Sequence, residues 1–208
     1  MIILGIHDGH NASAALIKDG QLVSAVAEER LSRRKHHYGF PFAAVNAVLA
    51  EANVKKADVD KVAMATKSLP PRYFLTSRNA NFSIADYWKE QREYWYPKIY
   101  QNSHPSYLDL FKEHLNRAEF IYDSKLIKDE DDHKGMWQAR LKLTCETLLK
   151  SESDIEAFDH HKCHAFYGHM FSPHAQNTDT LIYTMDGGGD GLNGTISIGK
   201  PDGYIETI

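Results

Sequence analysis

The first 66 residues alternate short apolar runs with turn signals. Apolar runs at residues 2–7, 14–17 and 22–27, the first two of which end in Asp-Gly pairs, predict three strands. Apolar positions then recur at helical spacing after Pro41, and a further apolar run predicts a fourth strand at 61–66. This order of elements indicates an α/β fold with a mixed sheet and helical cover rather than a purely parallel, doubly wound sheet.

Residues 67–135 lose the strand signals and become rich in aromatic side chains. Seven of the eleven tyrosines and two of the three tryptophans fall in this stretch. We interpret it as a helical insertion whose rings pack onto the main core, with an acceptor-binding wall or an oligomer contact as alternatives. After it, the pattern predicts helices at 136–149 and 161–171 and strands at 155–158 and 181–185.

One pattern occurs twice in the chain. In each copy an apolar strand ends in Asp-Gly, a second strand ends in another Asp-Gly, and a third strand follows; the later copy uses Asp186-Gly187 and Asp202-Gly203. Such duplication is typical of ribonuclease H-like domains of the actin type, in which two facing turns hold a phosphate chain. We therefore predict a first subdomain at 1–66 and 136–175, the insertion at 67–135, and the start of a second subdomain at 176–208.

Composition narrows the functional classes. The 208 residues include 24 Lys+Arg and 28 Asp+Glu, and the net charge of −4 provides no overall positive field for nucleic acid or an anionic membrane. No apolar run is long enough for a membrane span or a signal peptide, so we expect a cytoplasmic protein. The two cysteines are too few and too far apart for a redox or zinc pair, which indicates reduced thiols.

Histidines mark a candidate metal site where a strand passes into a helix. His160 and His164 are four residues apart, so helical geometry places both imidazoles on one face. This spacing suits one divalent ion, and Asp186, at the end of the next strand, can supply a carboxylate as the third ligand. The pair His161 and His164 is less well aligned, and a polar helix start without a metal is the remaining alternative.

The glycine-rich segment after this strand is a candidate cofactor-binding loop. Glycines allow backbone N–H groups to approach phosphate oxygens, while acidic side chains attract cations. The candidate cofactor-binding residues are Gly187, Gly188, Gly189, Asp190 and Gly191. A flexible turn between two strands is the alternative interpretation.

The equivalent turn of the first copy carries further candidate residues. His10 is predicted to act as a general base, and Asp8 and Ser13 are predicted to bind substrate. Lys35 lies in the charged run at 28–37, directly after the third strand, where a cation can bind a phosphate or carboxylate. A structural histidine and a solvated charged face are the alternatives.

These motifs together resemble those of the NodU and cephalosporin-type carbamoyltransferase family, which includes tobramycin-type O-carbamoyltransferases. The resemblance is weakest at 67–135, where differences in acceptor are expected. The matching stretches are residues 5–15, Glu28-Glu29-Arg30-Leu31 with Lys35-His36 and Phe40-Pro41, His160-His161-x-x-His164-Ala165, and Met185-Asp186-Gly187.

The resemblance implies a Kae1-like domain of the actin-like ATPase class, followed beyond residue 208 by a YrdC-like domain. In such enzymes the YrdC-like part makes carbamoyl adenylate from carbamoyl phosphate and ATP. The Kae1-like part then transfers the carbamoyl group to a hydroxyl of a small-molecule acceptor, such as a sugar or a natural product. Residues 1–208 alone are therefore expected to be inactive.

The resemblance also assigns roles to individual residues. His160, His164 and Asp186 match the metal ligands, with iron as the implied metal, magnesium or manganese as alternatives, and a further ligand aspartate beyond residue 208. His10 matches a histidine of the transfer site, and Lys35 lies in a motif that helps form the acceptor pocket.

Other functional classes fit the same residues. A kinase or ATPase of the actin-like class would use Asp8 and Asp186 around Mg²⁺ and would yield ADP, whereas adenylate chemistry yields AMP and pyrophosphate. A binding or assembly module would show no turnover. Related tRNA threonylcarbamoyl transferases need a basic surface that this charge balance does not supply.

Overall fold

The computed structural model describes residues 1–175 and 177–208. Its larger sheet has five strands in the order β3-β2-β1-β4-β5, with β1 antiparallel to β2 and parallel to β4, and β4 parallel to β5. These strands are β1 (Ile2–His7), β2 (Ser13–Lys18), β3 (Gln21–Ala27), β4 (Lys61–Ala65) and β5 (Ile155–Phe158). The predicted α/β fold with a mixed sheet is confirmed, and the ribonuclease H-like assignment stays a prediction.

Two helices of the main body precede the insertion, and a longer one follows it. They are α1 (Glu28–Ser32), α2 (Phe42–Glu51) and α8 (His133–Leu148). The core lies between α2 and the sheet, where Val45 and Val48 share one buried cluster with Leu4, Ile6 and Met64. The helix predicted after Pro41 is therefore confirmed, and its apolar spacing accounts for the face that it buries.

The start of α2 is held by a residue from the preceding helix. Pro41 offers no side-chain cap, and the carboxylate of buried Glu28 instead accepts the N–H groups of Ala43 and Ala44 at 3.1 and 2.6 Å. A negative charge at a helix N-terminus satisfies otherwise unpaired donors and interacts favourably with the helix dipole. Glu28 thus fixes the angle between the end of β3 and α2.

Residues 67–135 form helices and turns without a strand. The α-helices are α3 (Pro71–Thr76), α4 (Arg78–Asn81), α5 (Ile84–Lys89), α6 (Tyr96–Tyr100) and α7 (Tyr107–Leu110), with a π-helix at Glu90–Trp95. Short 3₁₀ turns lie at Lys56–Asp58, Lys112–His114, Arg117–Glu119, Ser124–Leu126 and Glu152–Asp154.

Part of the aromatic stretch packs onto the main body. Phe74 and Tyr122 form a buried cluster with Met136 and Ala139 of α8, and a second cluster inside the insertion contains Tyr94, Tyr107 and Phe111. These rings supply the packing that the first of our three interpretations expects. The predicted domain boundaries stay a prediction.

Helix α8 begins three residues earlier than predicted because the Asp132 side chain accepts the N–H of Gly135.

The second sheet is an antiparallel meander in the order β6-β7-β8. Its strands are β6 (Thr180–Gly189), β7 (Leu192–Gly199) and β8 (Ile205–Thr207), and α9 (His160–Met170) packs against it. The strand predicted to end at residue 185 continues to Gly189, with a register shift between Met185 and Gly189. Asp190 and Gly191 make the turn instead, with φ values of 51° and 85°. Two successive positive φ values are those of a type I′ hairpin turn.

The composition predicted no membrane span and no disulfide. Within residues 1–175 and 177–208, no helix has both the length and the apolar character needed to cross a bilayer. Cys145 and Cys163 are both free, as predicted. Burial raises the pKa of the Cys163 thiol to about 11, so this thiol is a poor nucleophile at neutral pH. The cytoplasmic location stays a prediction.

Candidate functional site

Three parallel strands end at the same edge of the larger sheet. The register pairs His7 of β1 with Ala65 of β4, and Ala65 with Phe158 of β5. The loops that follow these strands therefore begin side by side, at the position where α/β sheets commonly bind ligands. The candidate residues near His10 and the histidine segment both follow these strand ends.

The two predicted histidine ligands and Asp186 converge at this edge. His160 Nε2 lies 2.6 Å from Asp186 Oδ2 and 3.1 Å from His164 Nε2, and His164 Nε2 lies 3.5 Å from Asp186 Oδ2. The hydrogen bond with His160 lowers the pKa of the Asp186 carboxyl, so the carboxylate is available as an anion at neutral pH. The structure thus brings all three side chains together.

This geometry fits a divalent ion. Ligand atoms at about 2.1 Å from a metal lie roughly 3.0 to 3.4 Å apart in octahedral or tetrahedral coordination, and the three separations here, 2.6, 3.1 and 3.5 Å, bracket that range. Two imidazoles with one carboxylate are the donors of facial iron(II) sites and of zinc sites. The side chains of His164 and Asp186 are 53% and 39% exposed, so the solvent side can accept further ligands.

His161 adjoins the two predicted ligands on α9, but its ring has a structural role. Its ring is fully buried, with Nδ1 3.0 Å from Thr184 Oγ1 and Nε2 3.0 Å from the carbonyl oxygen of Leu192. Both ring nitrogens therefore contact the second sheet. The alternative ligand pair of His161 and His164 is wrong.

A second group of ligand-type side chains lies in the insertion, at Asp86, Glu113 and His114. The Lys89 ammonium lies 3.4 Å from Glu113 and supplies a positive charge. Ser83 donates its hydroxyl and its N–H to Asp86, and these hydrogen bonds lower the pKa of Asp86 to about 2. The ligand-type side chains of this group are therefore already engaged by Ser83, Lys89 and one another.

His10 lies in the loop after β1, where it contacts a second histidine. Its Nε2 lies 3.2 Å from Nδ1 of His36, the two rings stack at 5.0 Å, and the same His36 nitrogen is 3.0 Å from Asn11 Oδ1. Burial lowers the pKa of His10 below its ordinary value, and His36 and His7 lower it further. His10 is therefore mainly neutral at neutral pH and can accept a proton.

His7 connects this loop to the two histidine ligands. Its Nε2 lies 2.9 Å from the carbonyl oxygen of His10, and its ring centre lies 6.1 Å from that of His160. Burial lowers the pKa of His7, which favours the neutral imidazole between these neighbours. The His7 ring thus lies between the loop of His10 and the three predicted metal ligands.

The structure corrects the role predicted for Asp8. Its carboxylate is fully buried and accepts hydrogen bonds from Arg140 Nε at 2.8 Å, Arg140 Nη2 at 2.7 Å and the Tyr122 hydroxyl at 3.0 Å. Burial alone would raise the pKa of Asp8, but Arg140, His7 and the Tyr122 hydroxyl together hold it below its ordinary value. Asp8 is therefore a buried anion that joins β1 to α8, enclosed away from substrate.

Ser13 and Lys35 lie at different depths. Ser13 begins β2, is partly buried, and pairs in register with His7 and Ala27. The Lys35 side chain is 80% exposed and lines a recess between the loop at 34–39 and residues 74–81 and 119–122 of the insertion. Contact of either side chain with a substrate stays a prediction.

The glycine-rich segment differs from the predicted phosphate cradle. Asp190 accepts backbone N–H groups from Lys67, Ser68 and His160 at 3.1, 2.6 and 2.7 Å, so its carboxylate joins the loop after β4 to α9 and is not free for a cofactor. Gly189 packs so closely against the His160 ring that a β-carbon there would collide with it.

The remaining glycines retain room for a ligand. The N–H of Gly187 donates to Asp186 Oδ1, but the positions where β-carbons of Gly187 and Gly191 would project are open. Phosphate binding at Gly187, Gly188 and Gly191 stays a prediction.

Sequence reasoning missed Thr66 and Arg140. Thr66 directly follows β4 and its Oγ1 lies 3.0 Å from His160 Nδ1. Its position after a strand that ends at the shared edge could have identified it. Arg140 offers no comparable signal, because a cation within a helix is usually on a solvated face.

The chain was compared with known proteins. The family model described as "Carbamoyltransferase N-terminus" matches residues 2–207. Nodulation protein NolNO of Sinorhizobium fredii is 26% identical over 191 residues, which cover 92% of this chain and 21% of that protein. Two proteins named as uncharacterized, sll1178 of Synechocystis and MJ1051 of Methanocaldococcus jannaschii, are each 43% identical over 60 and 63 residues.

The two shorter matches cover 29% and 30% of this chain, and 10% and 12% of the respective relatives. The aligned part of the chain therefore spans between about a tenth and a fifth of the length of these three proteins. Because the family model covers nearly every residue, the chain belongs to the family of carbamoyltransferase N-terminal regions.

Proposed function

We propose that the full-length protein transfers a carbamoyl group to a hydroxyl of a sugar or natural-product acceptor. Its donor would be carbamoyl adenylate, made from carbamoyl phosphate and ATP by a YrdC-like domain of the same protein. Family membership supports carbamoyl transfer in general. The observation that carries the finer proposal is the convergence of His160, His164 and Asp186 beside the loop of His10.

His160, His164 and Asp186 would hold a divalent ion. Such an ion supplies Lewis-acid stabilisation of the negative charge that develops on a carbonyl oxygen during nucleophilic attack. Two imidazole ligands favour iron over magnesium, because magnesium prefers oxygen ligands and retains several waters. Asp190 and Gly189 hold His160 at this position through its backbone N–H and the face of its ring.

His10 would take the proton of the acceptor hydroxyl. The hydroxyl oxygen forms a bond to the carbamoyl carbon, the bond from that carbon to the adenylate phosphate oxygen breaks, and AMP leaves. His36 contacts Nε2 of His10, and Asn11 contacts the same nitrogen of His36. These contacts orient the His10 ring. A preorganised neutral imidazole is suited to this proton transfer.

The geometry favours this reaction over the kinase alternative. A kinase of the actin-like class would use Asp8 and Asp186 around Mg²⁺. The Asp8 carboxylate is enclosed by Arg140 and Tyr122, so a metal ion would have to displace a buried guanidinium. Such a displacement would leave an unpaired charge in the interior, which is costly.

Product analysis tests the proposed function. The full-length protein is incubated with carbamoyl phosphate, ATP and a panel of sugar and natural-product alcohols, and the products are analysed by mass spectrometry. We expect one carbamoyl group on an acceptor together with AMP, pyrophosphate and the inorganic phosphate that carbamoyl phosphate releases. A phosphorylated acceptor with ADP would instead support a kinase and overturn the proposal.

The pH profile of the reaction tests the role of His10. A general base acts in its neutral form, so kcat/KM should fall as the pH drops through the pKa of His10. Because burial, His36 and His7 outweigh the opposite effects of Asp186 and Glu29, the midpoint should lie below the ordinary value of 6.5.

His10→Ala should lose at least about 100-fold in kcat/KM and the acid limb of the profile. His104→Ala, which changes an exposed histidine of the insertion, is the matched control and should retain both. Unchanged turnover in His10→Ala would remove the proposed role.

A further inference from the structure

Thr66 has an unusual backbone conformation for its residue type. It directly follows β4, is buried, and has a φ of 82°. Positive φ is a marked outlier for a β-branched residue, because the branched side chain collides with the backbone there. Such strain persists only where the surroundings fix the residue, and it is concentrated at functional sites.

Three elements fix the backbone of Thr66. Its N–H donates to the carbonyl oxygen of Phe158 at 2.9 Å, at the end of β5. Its carbonyl oxygen accepts from Arg140 Nη2 at 2.9 Å, and the same Arg140 nitrogen donates to Asp8 Oδ1. The residue is thus held between β5, α8 and the end of β1.

This arrangement brings the Thr66 hydroxyl to one nitrogen of a candidate metal ligand. Oγ1 lies 3.0 Å from His160 Nδ1, while His160 Nε2 faces Asp186 and His164. An imidazole binds a metal through its unprotonated nitrogen, so the other nitrogen carries the proton and needs an acceptor. A hydroxyl oxygen is such an acceptor.

We infer that Thr66 is a positioning residue for the metal site: its hydroxyl accepts the Nδ1–H of His160 and thereby directs Nε2 to the ion. The inference rests on the proposed function, which places an ion between His160, His164 and Asp186. It assigns the strained backbone of Thr66 a purpose, since this φ is what presents Oγ1 to the imidazole. Thr66 itself does not touch the ion or the substrate.

Metal binding to the full-length protein tests this role. Thr66→Val keeps the shape and the branching but removes the hydroxyl, and Thr66→Ser keeps the hydroxyl but removes the methyl group. Co²⁺ is the probe, because its visible absorption reports coordination directly. Loss of a hydrogen-bond partner behind a metal ligand weakens metal binding by about 10–100-fold, so we expect that loss in Thr66→Val and a Kd close to that of the wild type in Thr66→Ser.

Two further variants separate positioning from stability. Thr76→Val removes another buried threonine hydroxyl, one that donates to the carbonyl oxygen of Arg72 away from the site, and should leave the Kd for Co²⁺ unchanged. Thr66→Gly removes the hydroxyl but accepts positive φ without strain. It should therefore stay folded and still bind Co²⁺ about 10–100-fold more weakly, which covers the case in which Thr66→Val fails to fold.

The outcomes distinguish this inference from the function on which it rests. Wild-type Kd values in Thr66→Val or Thr66→Gly would overturn the role of Thr66 and leave the metal site standing. Equal weakening in Thr66→Ser and Thr66→Val would overturn it as well, because packing rather than the hydroxyl would then be responsible. A wild-type protein that binds no Co²⁺ would overturn the metal site and this inference together.

Discussion

Replacing Arg140 by methionine is expected to lower the free energy of unfolding by about 3–5 kcal/mol. Arg140 and Asp8 are both fully buried and share two hydrogen bonds, at 2.8 and 2.7 Å. Without the guanidinium, the Asp8 carboxylate stays in the interior with the Tyr122 hydroxyl as its remaining side-chain partner. An uncompensated buried charge is strongly destabilising. Because the methionine side chain fills much of the vacated space, the loss reports the unpaired charge. Urea unfolding of both proteins at neutral pH measures the difference.

The pH dependence of this difference follows from the pKa of Asp8. A carboxyl whose pKa is lowered by folding contributes stability above its unfolded-state pKa, near 3.8, and loses it as the pH falls through the folded value. In Arg140→Met the pKa of the buried Asp8 should be raised instead, so protonation relieves the unpaired charge. The gap between wild type and variant should therefore be large at neutral pH and shrink towards acid pH.

Lys142→Met provides the matched control on the same helix. Lys142 pairs with Asp123 at 2.7 Å, but its side chain is 48% exposed. An exposed ion pair contributes about 0–1 kcal/mol, so this variant should unfold close to the wild type. Equal effects of the two substitutions would contradict the assigned importance of the buried pair.

The sequence predicts the parts of the fold that depend on local pattern. Asp-Gly pairs and apolar alternation identify β1, β2 and β3, because a strand and a tight turn each leave a short-range signal. The convergence of His160 and His164 is equally local, since a spacing of four residues fixes two side chains on one helix face. Asp186 could be added because it lies close to the end of the next predicted strand.

Other parts of the site depend on contacts between distant residues. Asp8 and Arg140 are 132 positions apart, and no periodicity along the chain marks their pairing. The sequence predicts that this strand ends at residue 185, whereas the turn lies at Asp190 and Gly191. Glycines carry no side chain, so their run gives no signal of strand pairing. The carboxylate of Asp190 accepts backbone donors from the loop after β4 and from the first residue of α9, a role that residue type alone does not reveal.

His160→Ala is expected to weaken divalent-metal binding by at least about 100-fold, since removing a ligand should cost at least as much as removing a residue behind one. His160 Nε2 contacts both other ligand atoms, whose own separation is the longest of the three, 3.5 Å. Its loss leaves one imidazole and one carboxylate, both substantially exposed, and two such donors do not exclude water from an ion.

Metal content after anaerobic loading with Fe²⁺, measured by mass spectrometry, checks this result. His174→Ala, a change of an exposed histidine beyond α9, is the control and should load like the wild type. Carbamoyl transfer should fall with metal content in His160→Ala, because the same ion stabilises the charge that develops on the carbonyl oxygen. Metal binding by Thr66→Val should be weaker than that of the wild type and stronger than that of His160→Ala. A His160→Ala protein that retains both metal and transfer would show that these three side chains do not form the metal site, and the proposed mechanism would fail with it.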